Sequence, residues 1–312
     1  MSTKCGLDPY RAIHFILDFD GTLTHRDTLE QLVQVAKDST GDRERTDNAW
    51  TKCKEAYLED RANTMKTINL SDSTTVEGES AILKDLEPVE TRSVDRVSKS
   101  GIFQGLTEQH ILDGAAQQRE KPNGVRLRNG VREVLDVVNS RRERLRQDEE
   151  GNVDDVSILS VNWSQTWIYG CLKSQLDNFE EYNIYKTNIC SNELEGLKVS
   201  MIPSNGVITG GIFSSRNKLE RLTHLRRVSA SSGSRTPVIY VGDSWTDLEC
   251  LIDAELGICI GKPNIETSEL AQSFKRIGIK CPHISKLDEC DDWNVVWARD
   301  FAEIATWLSH NS

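Results

Sequence analysis

The sequence predicts an α/β fold in which a doubly wound parallel sheet is interrupted by an inserted, mainly helical unit. Short apolar runs end abruptly in polar or acidic residues, as buried parallel strands do beside a ligand crevice. The three clearest runs are residues 12–17, 156–160 and 238–242. Between the first two runs, apolar residues recur only at helical spacing. We therefore expect a Rossmann-like core of residues 1–26 and 124–312, with residues 27–123 as a separate helical domain.

Composition narrows the classes of function. The 312 residues carry a net charge of −11, with a pI near 5.2, which gives no basic surface for nucleic acid or an anionic membrane. The eight cysteines include no Cys-x-x-Cys pair, so they indicate free thiols in a reducing compartment. The sequence shows no signal peptide and no apolar run of membrane-spanning length. We expect a cytoplasmic protein, with a nuclear location as the alternative.

The end of the first apolar run is the most informative stretch. Asp18 and Asp20 follow it directly, and along an extended chain they point to one side while Phe19 points to the other. Adjacent carboxylates repel each other, so such a pair is kept mainly where a cation or a shared proton is needed. Gly21 and Thr22 come next and suit a close approach of the backbone to a ligand. A solvated acidic turn is the alternative interpretation.

The segment Asp18-Phe-Asp-Gly-Thr-Leu-Thr24 resembles the signature loop of the haloacid dehalogenase superfamily, whose members are mostly magnesium-dependent phosphatases. The inserted residues 27–123 then resemble the superfamily's helical cap domain, although a helical surface elaboration is the alternative. Such a cap would close over the carboxylates and choose the substrate. Its apolar stripes are Leu29, Leu32, Val33 and Ala36, then Trp50, Cys53, Ala56 and Tyr57, then residues 82–89 and 102–111.

Two further motifs suit a bound phosphate. Ser160 ends the second apolar run just before a helical pattern, and it matches the superfamily's second motif, although Ser in this place is commonly a helix cap. Asn162 lies two residues later. Lys218 lies near the start of another helix, from which its ammonium can reach a phosphate or a nucleophilic carboxylate. Arg216 is its rival.

The apolar run at residues 238–242, like the first one, is followed directly by an acidic residue. Asp243 follows it, and Asp247 lies four residues on at a helix start, where its carboxylate can accept backbone N–H groups or support a metal shell. This pair resembles the superfamily's fourth motif. Four motifs in the expected order are far more specific than any one of them.

The remaining segments complete the sheet and its cover. Asn129 is a plausible cap for the helix that returns the chain to the core. Strands are expected at residues 184–190 and 256–261, and a hairpin at residues 197–202 and 207–212. Helices are expected at residues 164–176 and 268–277, and a final helix is expected to carry Val295, Ala298, Phe301, Ile304, Ala305 and Leu308.

The resemblance implies a mechanism. Asp18 would be the nucleophile that forms an aspartyl-phosphate, and Asp20 the general acid and base. Mg²⁺ would be held by Asp18, by the backbone carbonyl of Asp20 and by Asp243, with Asp247 in support. The residues expected around the phosphate are Ser160, Asn162, Lys218, Gly21 and Thr22. Dehalogenases of this superfamily lack the second aspartate, so Asp20 favours phosphoryl transfer.

The expected substrate is a small phosphorylated metabolite. The chain looks most like the phosphoserine-phosphatase-like branch, and residues 156–261 resemble the plant phosphatase domain that acts on thiamine monophosphate, as well as fungal hydrolases of this type. Trp50 and Tyr57 are candidates to stack on a substrate ring, although helix packing explains them as well. The alternatives are a catalytically idle binding or regulatory protein and a phosphotransferase that uses an acceptor other than water.

Overall fold

The computed structural model describes residues 11–70, 73–146, 153–197, 202–229, 236–261, 268–289 and 293–310. Its strands are β1 (His14–Leu17), β2 (Asp155–Leu159), β3 (Ile189–Cys190), β4 (Glu193–Leu194), β5 (Ile208–Thr209), β6 (Val238–Gly242), β7 (Leu256–Ile260) and β8 (Val295–Ala298). Its α-helices are α1 (Leu29–Thr40), α2 (Arg43–Thr67), α3 (Val76–Ser100), α4 (Glu108–Gln117), α5 (Val131–Leu145), α6 (Gln165–Gln175), α7 (Ser215–Ser229), α8 (Leu248–Asp253), α9 (Glu269–Arg276) and α10 (Phe301–His310).

Six strands form one parallel sheet in the order β3-β2-β1-β6-β7-β8. Leu17 at the end of β1 pairs with Ile158 of β2 on one side and with Val241 of β6 on the other. From β1 the chain winds outward through β2 and β3, then returns to continue through β6, β7 and β8. The winding therefore reverses between β1 and β6, and ligands bind at the carboxyl ends of strands at such a switch point. The predicted doubly wound α/β fold is confirmed.

Both faces of the sheet are covered by apolar residues. Phe15 and Leu17 belong to a buried cluster shared with α5, α6 and α10, whereas the intervening Ile16 belongs to a second cluster shared with α7, α8 and α9. Side chains of a strand alternate between faces, so this division places one helical layer on each side of the sheet. Within the described ranges, no helix combines the length and the apolar character that a membrane span requires.

Helices α1 to α4 lie between the first and second strands of the chain. Leu32, Val33 and Ala36 of α1 are buried, as are Trp50 and Cys53 of α2, so the predicted helical stripes are the packed faces. The predicted stripe at residues 102–111 is helical only from Glu108. The chain leaves the sheet and returns to it side by side, because Thr24 pairs with Leu127. The division into a core domain and a cap domain at residues 27 and 123 stays a prediction.

Two local predictions, one for the last helix and one for the start of α5, were wrong. Val295 and Ala298 lie in strand β8 rather than in the last helix, because a run of four apolar residues fits a buried strand as well as a helical stripe. Asn129 does not cap α5, since its side chain donates to Asp300 and Gly130 is the cap residue. A Cβ at Gly130 would lie 1.8 Å from the backbone nitrogen of Ala302, so only glycine allows the chain to pass α10.

The predicted hairpin and the strand before it are displaced. The antiparallel pair is β4 with β5, so the first hairpin strand lies before residue 197, and residues 198–201 lie outside the described ranges. Of the strand expected at residues 184–190, only β3 forms. Lys186–Asn188 make a 3₁₀ turn instead, because Tyr185 and Asn188 hydrogen-bond to each other across it.

Candidate active site

The predicted site residues meet at the carboxyl ends of the central strands. Asp18 follows β1, Ser160 follows β2 and Asp243 follows β6, while Lys218 reaches the same point from the first turn of α7. These strands are neighbours in the sheet, so residues separated by more than two hundred positions in the chain become contacts. The motifs that carry Asp18, Lys218, Asp243 and Asp247 therefore form one cluster of side chains.

Lys218 is the central cation of this cluster. Its side chain is 1% exposed, and its Nζ donates to Asp18 Oδ1 at 2.8 Å and to Asp247 Oδ1 at 2.7 Å. Burial alone would lower the pKa of Lys218, but the two carboxylates outweigh it and raise the pKa. Arg216 has a different place, since it is half-exposed and pairs with Glu220 of its own helix. Of the two rivals, Lys218 is the one that contacts Asp18.

Asp18 lies in a crowded electrostatic setting. Burial raises the pKa of its carboxyl well above the usual value, Lys218 opposes this rise, and Asp247 and Asp243 add to it. Three carboxylates thus share one lysine, and they can bring one oxygen each within 4.8 Å of one another. Additional positive charge at this point would relieve the repulsion between them.

Asp247 is fully buried, and its oxygens have several donors. Besides Lys218, its carboxylate accepts hydrogen bonds from the hydroxyls of Tyr240 at 2.6 Å and Ser244 at 2.8 Å, and from backbone N–H groups of Asp243 and Ser244. Burial would raise the pKa of Asp247, but Lys218 and these hydrogen bonds lower it. A carboxylate has about four lone-pair sites, so Asp247 is suited to bracing the loop and Lys218 rather than to binding a metal directly.

Asp243 is positioned by the turn that follows β1. Thr22 is buried and donates its hydroxyl to Asp243 Oδ1 at 2.8 Å, so its side chain braces a carboxylate rather than facing a phosphate. Gly21 has φ of +75°, and a Cβ there would lie 2.4 Å from Asp243 Oδ2. Burial, with Asp247 in addition, raises the pKa of Asp243 to about 6. The turn at Phe19–Leu23 therefore fits against Asp243 only with glycine at position 21.

Arg128 is a residue of this site that the sequence did not reveal. Its guanidinium donates from Nε at 3.0 Å and from Nη2 at 2.6 Å to the backbone carbonyl of Gly21. Arg128 lies on the segment by which the chain returns to the sheet, next to the pairing of Thr24 with Leu127. It thus fixes the peptide that contacts Asp243. A single arginine after a charged segment carries no motif that would have indicated this contact.

Asp20 is held apart from Asp18 by its own set of donors. Thr28 donates its N–H at 2.8 Å and its hydroxyl at 2.7 Å to Asp20 Oδ1, and Asn162 donates its side-chain amide to Oδ2 at 2.7 Å. The indole of Trp167 donates to the Thr28 hydroxyl at 3.0 Å. Burial, with Asp27 in addition, raises the pKa of Asp20 to about 7, against the effect of these hydrogen bonds. Asp20 therefore has the environment of a group that gives and takes a proton near neutrality.

The loop after β2 is rigidly held. Ser160 and Asn162 are buried, and the Asn162 N–H donates to Ser160 Oγ at 3.1 Å. Asn192 donates its side-chain amide to the carbonyl groups of Val161, Asn162 and Ile212 at 2.7 to 3.1 Å. One side chain thus ties the loop that carries Ser160 to the segment that precedes Lys218. The Asn162 side chain is directed to Asp20.

A cavity of about 630 Å³ extends from the carboxylates to helices α1, α2 and α3. Its size lies within the range of pockets that enclose a small organic ligand. Asp18, Asp20, Lys218 and Asp243 line one end. The other walls include the aromatic residues Trp50, Tyr57, Trp163 and Phe213 and the acidic residues Asp27, Glu30 and Glu90.

The aromatic residues both pack and face this cavity. The rings of Trp50 and Trp163 meet edge to face with centroids 5.9 Å apart. The Trp50 indole donates to Glu30 at 2.8 Å, and the Tyr57 hydroxyl donates to Glu90 at 3.0 Å. The two roles expected for Trp50 and Tyr57, helix packing and a place beside a ligand, are therefore compatible.

Comparisons with known proteins support the fold. No family model matches the chain. The CTO1 family protein C17G9.12c of Schizosaccharomyces pombe is 28% identical over 243 residues, which are 76% of this chain and 77% of the yeast protein.

Two solved structures are similar over most of the chain. A probable phosphoserine phosphatase of Vibrio cholerae has a TM-score of 0.51 and 15% identity, over 97% of this chain and 66% of that one. A conserved protein of unknown function from Anaerococcus prevotii has a TM-score of 0.51 and 12% identity, over 93% of this chain and 86% of that one. The expected α/β architecture is thus shared with known proteins.

Proposed function

We propose that this protein is a phosphomonoester hydrolase of the haloacid dehalogenase superfamily, which acts through an aspartyl-phosphate and requires Mg²⁺. The observation that carries the proposal is the contact of Lys218 with Asp18 at 2.8 Å. Asp20 lies two residues after Asp18, and Asp243 follows the strand next to β1. This arrangement joins a nucleophile, a cation, a metal-binding carboxylate and a proton donor at a topological switch point. The shared fold with a probable phosphoserine phosphatase agrees with the proposal.

The donor set fits Mg²⁺. Asp18 and Asp243 offer carboxylate oxygens on adjacent strands, and hard oxygen ligands are those that Mg²⁺ prefers. Asp18, Asp243 and the backbone carbonyl of Asp20 would hold the ion, and Asp247 would support them. Bound Mg²⁺ would supply positive charge that neutralises the phosphoryl oxygens in the transition state.

The side chains divide the reaction into two steps. In the first, an Asp18 oxygen forms a bond to phosphorus while the bond to the leaving oxygen breaks, and Asp20 gives its proton to that oxygen. In the second, Asp20 takes a proton from water, which attacks phosphorus and releases Asp18 and inorganic phosphate. Burial raises the pKa of Asp18, and Lys218 opposes this rise and so favours the ionised nucleophile.

The phosphate would be held by Ser160, by Lys218 and by the backbone around Gly21. Ser160 follows the strand next to β1, and Lys218 reaches Asp18 from the first turn of α7, so they can stabilise charge on the oxygens that do not react. Asn162 and Thr22 would act indirectly, because their side chains donate to Asp20 and Asp243 rather than to the phosphate.

For the substrate, thiamine monophosphate is our specific candidate. The sequence resemblance in residues 156–261 motivates it, and the lining of the cavity supports it. Trp163 offers a flat apolar surface, and Asp27 and Glu90 are acidic residues of the cavity wall, which together suit a cationic ring.

The experiment is phosphate release from a panel of thiamine monophosphate, phosphoserine, nucleoside monophosphates and pyridoxal phosphate, with Mg²⁺ or with EDTA. We expect metal-dependent turnover that is lost in Asp18→Asn, with thiamine monophosphate preferred. The matched control is Arg216→Gln, an exposed change near Lys218 that should keep full activity. A folded protein that turns over no phosphoester would overturn the proposal in favour of an idle binding protein. Turnover with another preference would overturn only the choice of substrate.

A further inference from the structure

Glu79, in the first turn of α3, is a fully buried carboxylate outside the site described above. It accepts hydrogen bonds from the hydroxyls of Ser73 at 2.9 Å and Ser273 at 2.6 Å, and from the guanidinium of Arg276 at 2.5 and 3.0 Å. The Trp245 indole is a further donor, at 3.3 Å. A buried charge with this many donors is ionised and held in one position.

Trp245 connects this carboxylate to the candidate metal loop. It lies in the 3₁₀ turn Trp245–Asp247, between Asp243 and Asp247, and only 6% of it is exposed. Its ring belongs to the same buried cluster as Ile82 and Leu86 of α3. The hydrogen bond to Glu79 thus joins the middle of the loop to the first turn of α3.

Helix α9 holds Glu79 from the opposite side. Ser273 and Arg276 both belong to α9, and Arg276 also donates to the Ser273 hydroxyl at 3.0 Å. Because the acceptor is anchored in this way, the indole cannot shift without losing a hydrogen bond to a charged group. The same helix α3 lines the cavity further along with Glu90 and Val94. One helix thus contacts both the metal loop and the substrate cavity.

We propose that Glu79 is a positioning residue that sets the metal-binding geometry of Asp243 through Trp245. The inference rests on the metal site of the proposed function and adds a residue of the helical insertion to it. Removing groups that orient metal ligands weakens metal binding about tenfold or more. Helix α3 and the loop of residues 243–247 would then be coupled, so that a change in α3 alters the affinity for Mg²⁺.

The test is calorimetric titration of the metal-free protein with Mg²⁺, which needs no substrate. Trp245→Phe removes the N–H and keeps an aromatic ring, and Glu79→Gln removes the charge with little change in size. We expect each variant to raise the Kd for Mg²⁺ about tenfold. Combining them should add little, because both break the same link. Ser73→Ala is the matched control, since it removes a donor to Glu79 that does not contact the loop, and its Kd should stay at the wild-type value.

The outcomes separate this inference from a stabilising role alone and from the proposed function. If thermal stability falls in all three variants but the Kd for Mg²⁺ does not change, Glu79 only stabilises the fold and the inference is overturned. Should Glu79→Gln not fold, Trp245→Phe decides the question by itself. A wild-type protein that binds no Mg²⁺ overturns both this inference and the metal requirement. Mg²⁺ binding that is equal in wild type and Trp245→Phe overturns this inference alone.

Discussion

Thr28 donates two hydrogen bonds to the same oxygen of Asp20, one from its N–H at 2.8 Å and one from its hydroxyl at 2.7 Å. The indole N–H of Trp167 can only donate, so the Thr28 oxygen accepts it and the single hydroxyl hydrogen is left for Asp20 Oδ1. Both lone pairs of Oδ1 thus accept hydrogen bonds, whereas Oδ2 accepts one, from Asn162. A proton on Asp20 must reside on Oδ2, the oxygen that accepts from Asn162.

Thr28→Val should therefore impair general acid catalysis. The change removes one donor to Asp20 and leaves the Trp167 N–H without its acceptor. We expect kcat/KM for alkyl phosphates to fall about tenfold, because general acid catalysis contributes 10²- to 10⁴-fold and part of the support remains. The value for p-nitrophenyl phosphate, whose leaving group needs no proton, should change little. Thr28→Ser should restore activity, and an equal loss with both esters would contradict this role.

Lys218→Met should abolish turnover while Arg216→Met should not. Without Lys218, the buried Asp18 and Asp247 lose their common cation, and Asp18 becomes protonated more easily. We expect kcat to fall at least about 100-fold, as for other charge-stabilising donors in active sites. Arg216 lies two residues earlier and half-exposed, so its loss should leave kcat within about twofold. Steady-state kinetics beside circular dichroism spectra test both, and similar losses would argue against the assignment of Lys218.

The pH profile of kcat/KM should be bell-shaped. Asp243, whose pKa is about 6, must be ionised to bind the metal, so activity is lost as pH falls below that value. Asp20, whose pKa is about 7, must be protonated to assist departure of the leaving group, so activity is also lost as pH rises above it. More Mg²⁺ should move the acidic limb to lower pH, since a bound cation favours the ionised carboxylate. The Asp20→Asn variant should show no loss of kcat/KM on the alkaline side. If the loss persists in this variant, a group other than Asp20 causes it.

Much of this site was predictable because its chemistry is local. Asp18, Asp243 and Ser160 follow apolar runs, and in a parallel sheet the ends of such runs meet at one edge. The helical spacing of apolar residues also predicted which faces of α1 and α2 are buried. It failed at Val295–Ala298, where four consecutive apolar residues fit either type of element.

The supporting residues were not predictable in this way. Trp167 and Thr28 are 139 positions apart, and Trp245 and Glu79 are 166 positions apart. Their contacts depend on how helices dock on the sheet, and neither spacing nor residue type indicates such a partner. Arg128 is similar, because its role is to hold a backbone carbonyl, which has no signature in the sequence.

Gly21→Ala provides the sharpest test of the fit between the first turn and Asp243. Gly21 and Gly41 both have φ of +75°, so alanine at either position costs about 1 to 2 kcal/mol of backbone strain. Only at position 21 would the new Cβ also collide, 2.4 Å from Asp243 Oδ2, because nothing lies within 4 Å of a Cβ at position 41. We expect Gly41→Ala to lose the unfolding free energy of the strain alone in urea, and Gly21→Ala to lose at least as much, because the collision adds to the strain.

Their metal binding should differ. Gly21→Ala must displace Asp243, so the Kd for Mg²⁺ should rise about tenfold or more, whereas Gly41→Ala should bind Mg²⁺ as the wild type does. Urea unfolding reports the loss of stability in each variant, and calorimetric titration reports the effect of the collision on Mg²⁺ binding. Equal affinities in the two variants would mean that the turn yields to the methyl group and that its contact with Asp243 does not set the metal site.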